Sequence, residues 1–289
     1  MQRPNEIITL SDGRRLGYAE YGEPGGHPLF FFHGQPGNRL FRYPDESLTD
    51  SLGVRLITID RPGYGLSDFQ PNRKLLDWPQ DVSALADALG IDRFAVLGFS
   101  AGGPYALICA HHIPKRLTRV GIADSAPPMH LSEINAAAPG MLRTNYRLAR
   151  HAPAALSLIF RMFWWYSRRN SDAFLKMALQ QSCQADKEVL SRPGIYTVLD
   201  EVWKENLRID SRGYIQDIEI LMKEWGFRLN DIEKEVYLWQ GEADVNAPAA
   251  WERYMVKELP HCTAVFFPNE GHFAIFTHWK EISQALILD

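Results

Sequence analysis

Gly98-Phe99-Ser100-Ala101-Gly102 places a hydroxyl between two glycines, each two residues away. A lone G-x-S-x-G arises by chance in roughly one chain in ten of this size, given ordinary glycine and serine usage, so its surroundings decide its meaning. Here the apolar run Phe94–Phe99 leads straight into it and the helical pattern Ser100–His112 leads out. That is the strand, turn and helix a nucleophilic serine needs. The glycines have a steric reason: a serine held in a strained turn brings strand and helix together, and side chains at 98 and 102 would collide. Gly103 clears the same space. Unpaired N–H groups at the start of the helix face any negative charge developing at Ser100. The chemistry implied is serine-mediated acyl transfer, which needs a base to take the hydroxyl proton.

The elements that must position this turn follow from the hydrophobic pattern. Ile7–Leu10 and Arg15–Tyr21 flank Ser11-Asp12-Gly13 and read as an antiparallel hairpin. Continuous apolar runs follow at Pro28–Phe32, Val54–Asp60, Phe94–Phe99 and Arg119–Ala123. Each is too short for a buried helix and fits a strand covered on both faces, as in a parallel sheet. Asp77–Leu89 is a helix with Asp at its start and Gly90 after it, and Pro114 stops Ser100–His112. From Met129 to Asn230 the alternation lapses into helix after helix, punctuated by Pro139, Pro153, Pro193-Gly194 and Gly213. It resumes with strand Val236–Gln240, helix Pro248–Leu259, strand Thr263–Pro268 and a helix from Phe276 to Leu288. The expected fold is α/β, a mostly parallel eight-stranded sheet flanked by helices. Residues 1–128 and 231–289 would form the core and 129–230 an inserted helical cap over the sheet.

Composition narrows the function classes. Of 289 residues 46% are hydrophobic and 12% aromatic, with a net charge of −4, which excludes a disordered chain. Glycine and proline lack a collagen-like period. Mild acidity argues against a nucleic-acid partner. No apolar run approaches the roughly 20 residues that span a bilayer, so stable membrane insertion is not expected. The first residues show no secretory or transit pattern. Cys109, Cys183 and Cys262 are odd in number and lack C-x-x-C spacing, so neither a disulfide framework nor a metal site is expected, and the default compartment is the cytoplasm. No cofactor motif is present; the expected partner is a small-molecule substrate, and the chain a monomer or homodimer.

Two further segments extend the pattern. His33-Gly34-Gln35-Pro36-Gly37 follows Phe30-Phe31-Phe32, and Asp60-Arg61-Pro62-Gly63-Tyr64-Gly65-Leu66-Ser67 follows the next strand. With the serine turn, these resemble the His-Gly and D-x-x-G-x-G-x-S segments of the α/β-hydrolase family, and the resemblance covers nearly the whole chain. It implies the chain order Ser, acid, His. Among nine histidines, His272 in Asn269-Glu270-Gly271-His272-Phe273 sits between the last strand and last helix, at the sheet end of the serine turn, and is the expected base. His33 belongs to the His-Gly motif and is structural. The family's acid position after the seventh strand falls on Asp244; Asp124, ending the Arg119–Ala123 strand, competes with it. The oxyanion hole would be the backbone N–H groups of Ala101 and Gln35, supported by His33, Gly34, Gly98 and Gly102. The Gln35 amide would line the acyl pocket, bond substrate or face solvent.

The resemblance points to a serine hydrolase acting on a small to medium, mainly apolar ester. A serine nucleophile separates the chain from the branches that use a carboxylate, the haloalkane dehalogenases and epoxide hydrolases. An aminopeptidase of the proline iminopeptidase type is the nearest rival, although Gln35, Phe99 and Ala101 depart from the H-G-G-P-G and G-G-S-W-G-G patterns of that type. An amidase or acyltransferase would use the same triad. A ligand sensor with slow turnover is the alternative from another class. The insertion carries twelve aromatics, Tyr146, Phe160, Phe163, Trp164, Trp165, Tyr166, Phe174, Tyr196, Trp203, Tyr214, Trp225 and Phe227, most of which should pack it onto the core. From Met141 to Arg169 it also holds Arg143, Arg147, Arg150, Arg161, Arg168 and Arg169 and no acid. These suit an anionic substrate group, an anionic membrane surface, or a solvated basic face balanced by acids elsewhere.

Overall fold

The computed structural model describes residues 3–136, 138–180 and 182–287, apart from the side chains of 141, 173, 174, 177 and 178. The expected aromatic at Phe174 and the helix end at Leu288 lie outside what is described. Eight strands, β1 (Arg3–Thr9), β2 (Arg15–Gly22), β3 (His27–Phe32), β4 (Val54–Ile59), β5 (Phe94–Phe99), β6 (Leu117–Ala123), β7 (Val236–Gly241) and β8 (Cys262–Phe267), form one sheet. Their order is β1-β2-β4-β3-β5-β6-β7-β8. β2 runs antiparallel to β1 and β4, and every other neighbouring pair is parallel.

The apolar runs are continuous because successive side chains go to opposite faces and both faces are covered. Phe30, Phe32, Val96, Val120, Ile122 and Leu238 enter one core cluster, with helices α2 (Trp78–Ala88) and α3 (Gly103–His112). Leu29, Phe31, Leu97, Phe99 and Trp239 enter the other. Between them the segment after β3 carries α1 (Glu46–Ser51), a helix the sequence reading missed, started by the Asp45 side chain accepting from the Ser47 N–H. Strand order reverses between β3 and β5, so the loops leaving their carboxyl ends splay apart. Helices α11 (Ala249–Glu258), α12 (Ala274–Thr277) and α13 (Trp279–Ile287) complete the core, the last two replacing one expected helix.

Among the described residues, seven α-helices and no strand run between β6 and β7: α4 (Ser132–Ala136), α5 (Gly140–His151), α6 (Pro153–Ser167), α7 (Ser171–Gln180), α8 (Gln184–Leu190), α9 (Pro193–Arg208) and α10 (Arg212–Met222). Pro153 and Pro193 begin helices as expected. Gly213 does not separate two helices; it lies inside α10, where a Cβ would sit 2.3 Å from the Gly63 carbonyl oxygen, so glycine serves close packing there.

The insertion is tied into both faces of the core. Val189, Ile195, Val198 and Val202 join the cluster of Phe31 and Phe99, while Ile220, Leu221 and Trp225 join that of Phe30 and Phe32. Polar ties are buried as well. Asn38 donates to the Val202 carbonyl (2.8 Å) and to Asn206 Oδ1 (3.0 Å), and Arg39 pairs with Glu205 (2.8 Å) and Asp60 (3.1 Å). Asp217 of α10 accepts from Arg61 (2.8 Å), Arg73 and the Tyr105 hydroxyl (2.7 Å), all fully buried or nearly so. Burial alone would raise the Asp217 carboxyl, but Arg61 and Arg73 outweigh it and hold it at about 2.

Asp217→Ala would strand two buried guanidinium groups. It is expected to cost about 3–5 kcal/mol of stability, read from urea unfolding. The stability Asp217 contributes is complete above its unfolded value of 3.8 and fades as pH falls toward about 2; the variant should lose that dependence.

Candidate active site

Ser100 follows β5 with φ +54°, a left-handed conformation unusual for a side-chain-bearing residue, and a single 3-10 turn, Ser100–Gly102, precedes α3. The glycines are sterically required, Gly98 for the reason the sequence suggests and the others by different neighbours. A Cβ on Gly98 would meet the Gly102 carbonyl oxygen at 2.4 Å, and one on Gly102 would meet the Phe32 carbonyl oxygen at 2.0 Å. The second clash involves the end of β3 rather than the convergence of β5 and α3. A Cβ on Gly103 would reach Ser125 Oγ at 1.8 Å.

The loop after β3 lies against this turn: a Cβ on Gly34 would be 3.1 Å from Ser100 Cβ. His33 is fully buried. Burial and the neighbouring Arg61 charge hold it well below the usual histidine range, so the ring is neutral. Its Nδ1 lies 2.8 Å from the Gly34 carbonyl and its Nε2 accepts from the Arg61 N–H at 3.4 Å, which assigns the proton to Nδ1. Arg61 also donates to the His33 carbonyl and, at 3.1 Å, to that of Gly34. The Gln35 side chain is half-buried and makes a bond the sequence did not suggest: its Nε2 donates to the Tyr214 carbonyl of α10 at 2.7 Å.

His272 and Asp244 meet on the adjacent loops after β8 and β7. His272 Nδ1 lies 2.7 Å from Asp244 Oδ2, and Asp244 Oδ1 accepts from the N–H groups of Asn246 (2.7 Å) and Ala247 (2.9 Å). Both residues are buried, and the Phe99 ring packs 5.0 Å from the imidazole. Burial alone would lower the imidazole, but the charges of Asp244 and then Asp186 outweigh it and raise it above the usual histidine range. Among the described residues no hydrogen bond joins Ser100 Oγ to His272. Asp124 does not pair with a histidine: with φ +47° it turns back to accept from the Gly241 N–H at 2.9 Å. Burial, then the nearby Asp244, raises it well above the carboxylate range. Glu252 behind it, accepting from the Ser125 N–H, is raised well above that range by burial.

One participant escaped the sequence reading. Asp186, fully buried on α8, accepts from the Phe273 N–H at 2.8 Å, and a Cβ on Gly271 would press its carboxylate at 2.4 Å. The insertion thus contacts the residues on either side of His272. The Cys183 thiol three residues earlier donates to Asp186 at 3.2 Å, but the partner of Asp186 beside His272, Phe273, lies 87 positions away, where no local signal reaches. The described residues include no group of three or more His, Cys, Asp or Glu arranged to hold a metal.

A mostly parallel sheet carrying at its carboxyl ends a serine on a strained strand-to-helix turn and a buried imidazole–carboxylate pair defines a class. Residues 27–278 match the family described as alpha/beta hydrolase fold, and the chain belongs to that family. Among curated proteins it is 33% identical over 125 residues to an uncharacterized hydrolase, YcgS, of Bacillus subtilis, covering 43% of each chain. It is 32% identical over 123 residues to a proline iminopeptidase of Xylella fastidiosa, covering 39% of this chain and 37% of that protein. These matches span less than half the relatives' length. Among solved structures, an esterase of Exiguobacterium antarcticum superposes with a TM-score of 0.68 over 98% of both chains at 20% identity, which shows the shared fold.

The two carboxylates around His272 give a measurable expectation. In NMR titration the imidazole should ionise above the free-histidine value, and both Asp244→Asn and Asp186→Asn should lower that midpoint, the former more.

Proposed function

We propose that the chain is a serine hydrolase that cleaves small to medium, mainly apolar carboxylic esters through an acyl-enzyme. The observation that carries this reading is the buried His272–Asp244 pair (2.7 Å), on the loops after β8 and β7, at the sheet end where Ser100 stands on its strained turn. In this reading substrate binding closes the Ser100–His272 contact, as catalytic hydrogen bonds commonly tighten only in complexes. His272 Nε2 then accepts the Ser100 proton as Oγ attacks the ester carbonyl. Asp244 keeps the Nδ1 proton in place and stabilises the imidazolium. The N–H groups of Ala101 and Gln35 receive the charge on the carbonyl oxygen. His272 returns its proton to the leaving alcohol, and the same steps with water release the acid and restore Ser100.

Residues 129–230 act in this reading as a cap. Two of its helices support the site: α8 through Asp186 beside His272, and α10 through the Tyr214 carbonyl that fixes the Gln35 side chain. A second reading, aminopeptidase action, draws support from the Xylella relative. A soluble chain in a reducing cytoplasm suits the three free cysteines.

Ser100→Ala should abolish fluorophosphonate labelling and lower the turnover of p-nitrophenyl esters by at least about a thousandfold, with an unchanged melting temperature. Most activity surviving in that variant would sink the assignment. Graded acyl lengths report pocket size. Faster turnover of proline p-nitroanilide than of every ester favours the aminopeptidase, and rapid labelling with negligible turnover throughout favours a sensor.

A further inference from the structure

Helix α6 is apolar on two opposite sides. Leu156, Phe160 and Trp164, spaced by four, form its inner stripe and are buried against the rest of the insertion. On the other side Leu158 (60% exposed), Ile159 (50%), Met162 (63%), Trp165 (59%) and Tyr166 (56%) recur at three- and four-residue spacing and stand in solvent. A surface helix normally places polar residues there, whereas a helix apolar all round is buried or lies against lipid. A contiguous exposed patch of this kind marks an interaction surface.

The charges around the stripe select the occupant. Arg161 lies one turn from both Leu158 and Trp165, Arg169 stacks 3.8 Å over the Trp165 ring, and Arg147 and Arg150 are exposed on the adjoining α5. From Ile134 to Ser171 the chain holds no Asp or Glu. Among the described residues none of the six arginines of this stretch pairs with a carboxylate; Arg168 is spent on the carbonyls of Leu207 and Ile209. Among the described residues, then, no acid elsewhere in the fold pairs with this basic face. A second copy docking by a two-fold axis would set these arginines against their own counterparts. An anionic lipid surface supplies what they lack, and Trp and Tyr are the side chains favoured at a membrane–water boundary.

We propose that α6, flanked by α5, is a peripheral docking face for anionic lipid bilayers. Leu158, Ile159, Met162, Trp165 and Tyr166 enter the boundary between headgroups and acyl chains, and Arg147, Arg150 and Arg161 meet the lipid phosphates. Among the described residues no helix is long and apolar enough to cross a membrane, so attachment is to one leaflet and reversible. This inference does not depend on the hydrolase reading.

The test is sedimentation of the full chain with phosphatidylcholine vesicles made with and without phosphatidylglycerol, at low and high salt. Co-sedimentation with the anionic vesicles at low salt, released by high salt and accompanied by a blue shift of tryptophan emission, is the expected result. Leu158→Ser, Met162→Ser and Trp165→Ser combined should abolish it; these positions are exposed, so thermal unfolding should be unchanged. Arg150→Gln with Arg161→Gln should weaken binding about thirtyfold, each basic residue near an anionic surface being worth a factor of about five. Equal binding to both vesicle types, or no binding to either, overturns the proposal. So does a concentration-dependent dimer in light scattering that the triple serine variant dissolves, which would assign the face to a second copy.

Discussion

Asp217 is the contact on which the arrangement around the serine rests. One carboxylate from α10 neutralises Arg61 and Arg73, and Arg61 in turn grips the carbonyls of His33 and Gly34. Removing guanidinium groups from water is expensive, and the expense is offset only while their partner stays in place. The segment after β3 therefore has its conformation set from the insertion: Arg61 on Asp217, Gln35 on Tyr214, Asn38 on Val202 and Asn206, Arg39 on Glu205. Lifting α9 and α10 away as a rigid lid would break every one of these ties. Helices α4 to α6 pack through Met129, Ile134, Tyr146, Leu156 and Phe160, and among the described residues no buried ion pair ties them to the core.

The balance between what the residues announce and what they conceal follows from distance along the chain. Strands β3 to β8 were legible to within two residues at each end because their apolar runs are short and mostly continuous, those of β3 to β7 being largely buried on both faces, and Gly90 ends α2 with the positive φ (+68°) its position promised. The serine turn was legible because its strand, glycines and helix are contiguous in the chain, although the neighbours that require Gly102 and Gly103, Phe32 and Ser125, are remote. Helix α1 was not, being six residues long and mostly polar. Asp186, Asp217 and Glu252 were also hidden: the Phe273, Arg61 and Ser125 groups they accept from lie 87, 156 and 127 positions away, and nothing local separates a buried acid from a solvated one.

Gln35 illustrates the same limit from the other side. Its place in a motif drew attention to the site, yet the side chain also fastens the insertion, through the Tyr214 carbonyl. Asp124 was a fair competitor on sequence grounds, because it too ends a parallel strand. Its backbone conformation turned the carboxylate onto the Gly241 N–H, leaving the imidazole to Asp244. Local geometry decided between two acids that composition could not distinguish.

The left-handed backbone at Ser100 also bears on how the sequence drifts. Glycine would adopt that conformation without penalty, so under the proposed hydrolase reading a serine there bears a local cost for the sake of its hydroxyl. A lineage released from the need for that hydroxyl would gain by its loss, and the turn would decay first at its most informative position while Gly98 and Gly102, needed for packing alone, persisted. If the proposed role holds, serine at 100 is in that sense a mark of use, written in backbone geometry.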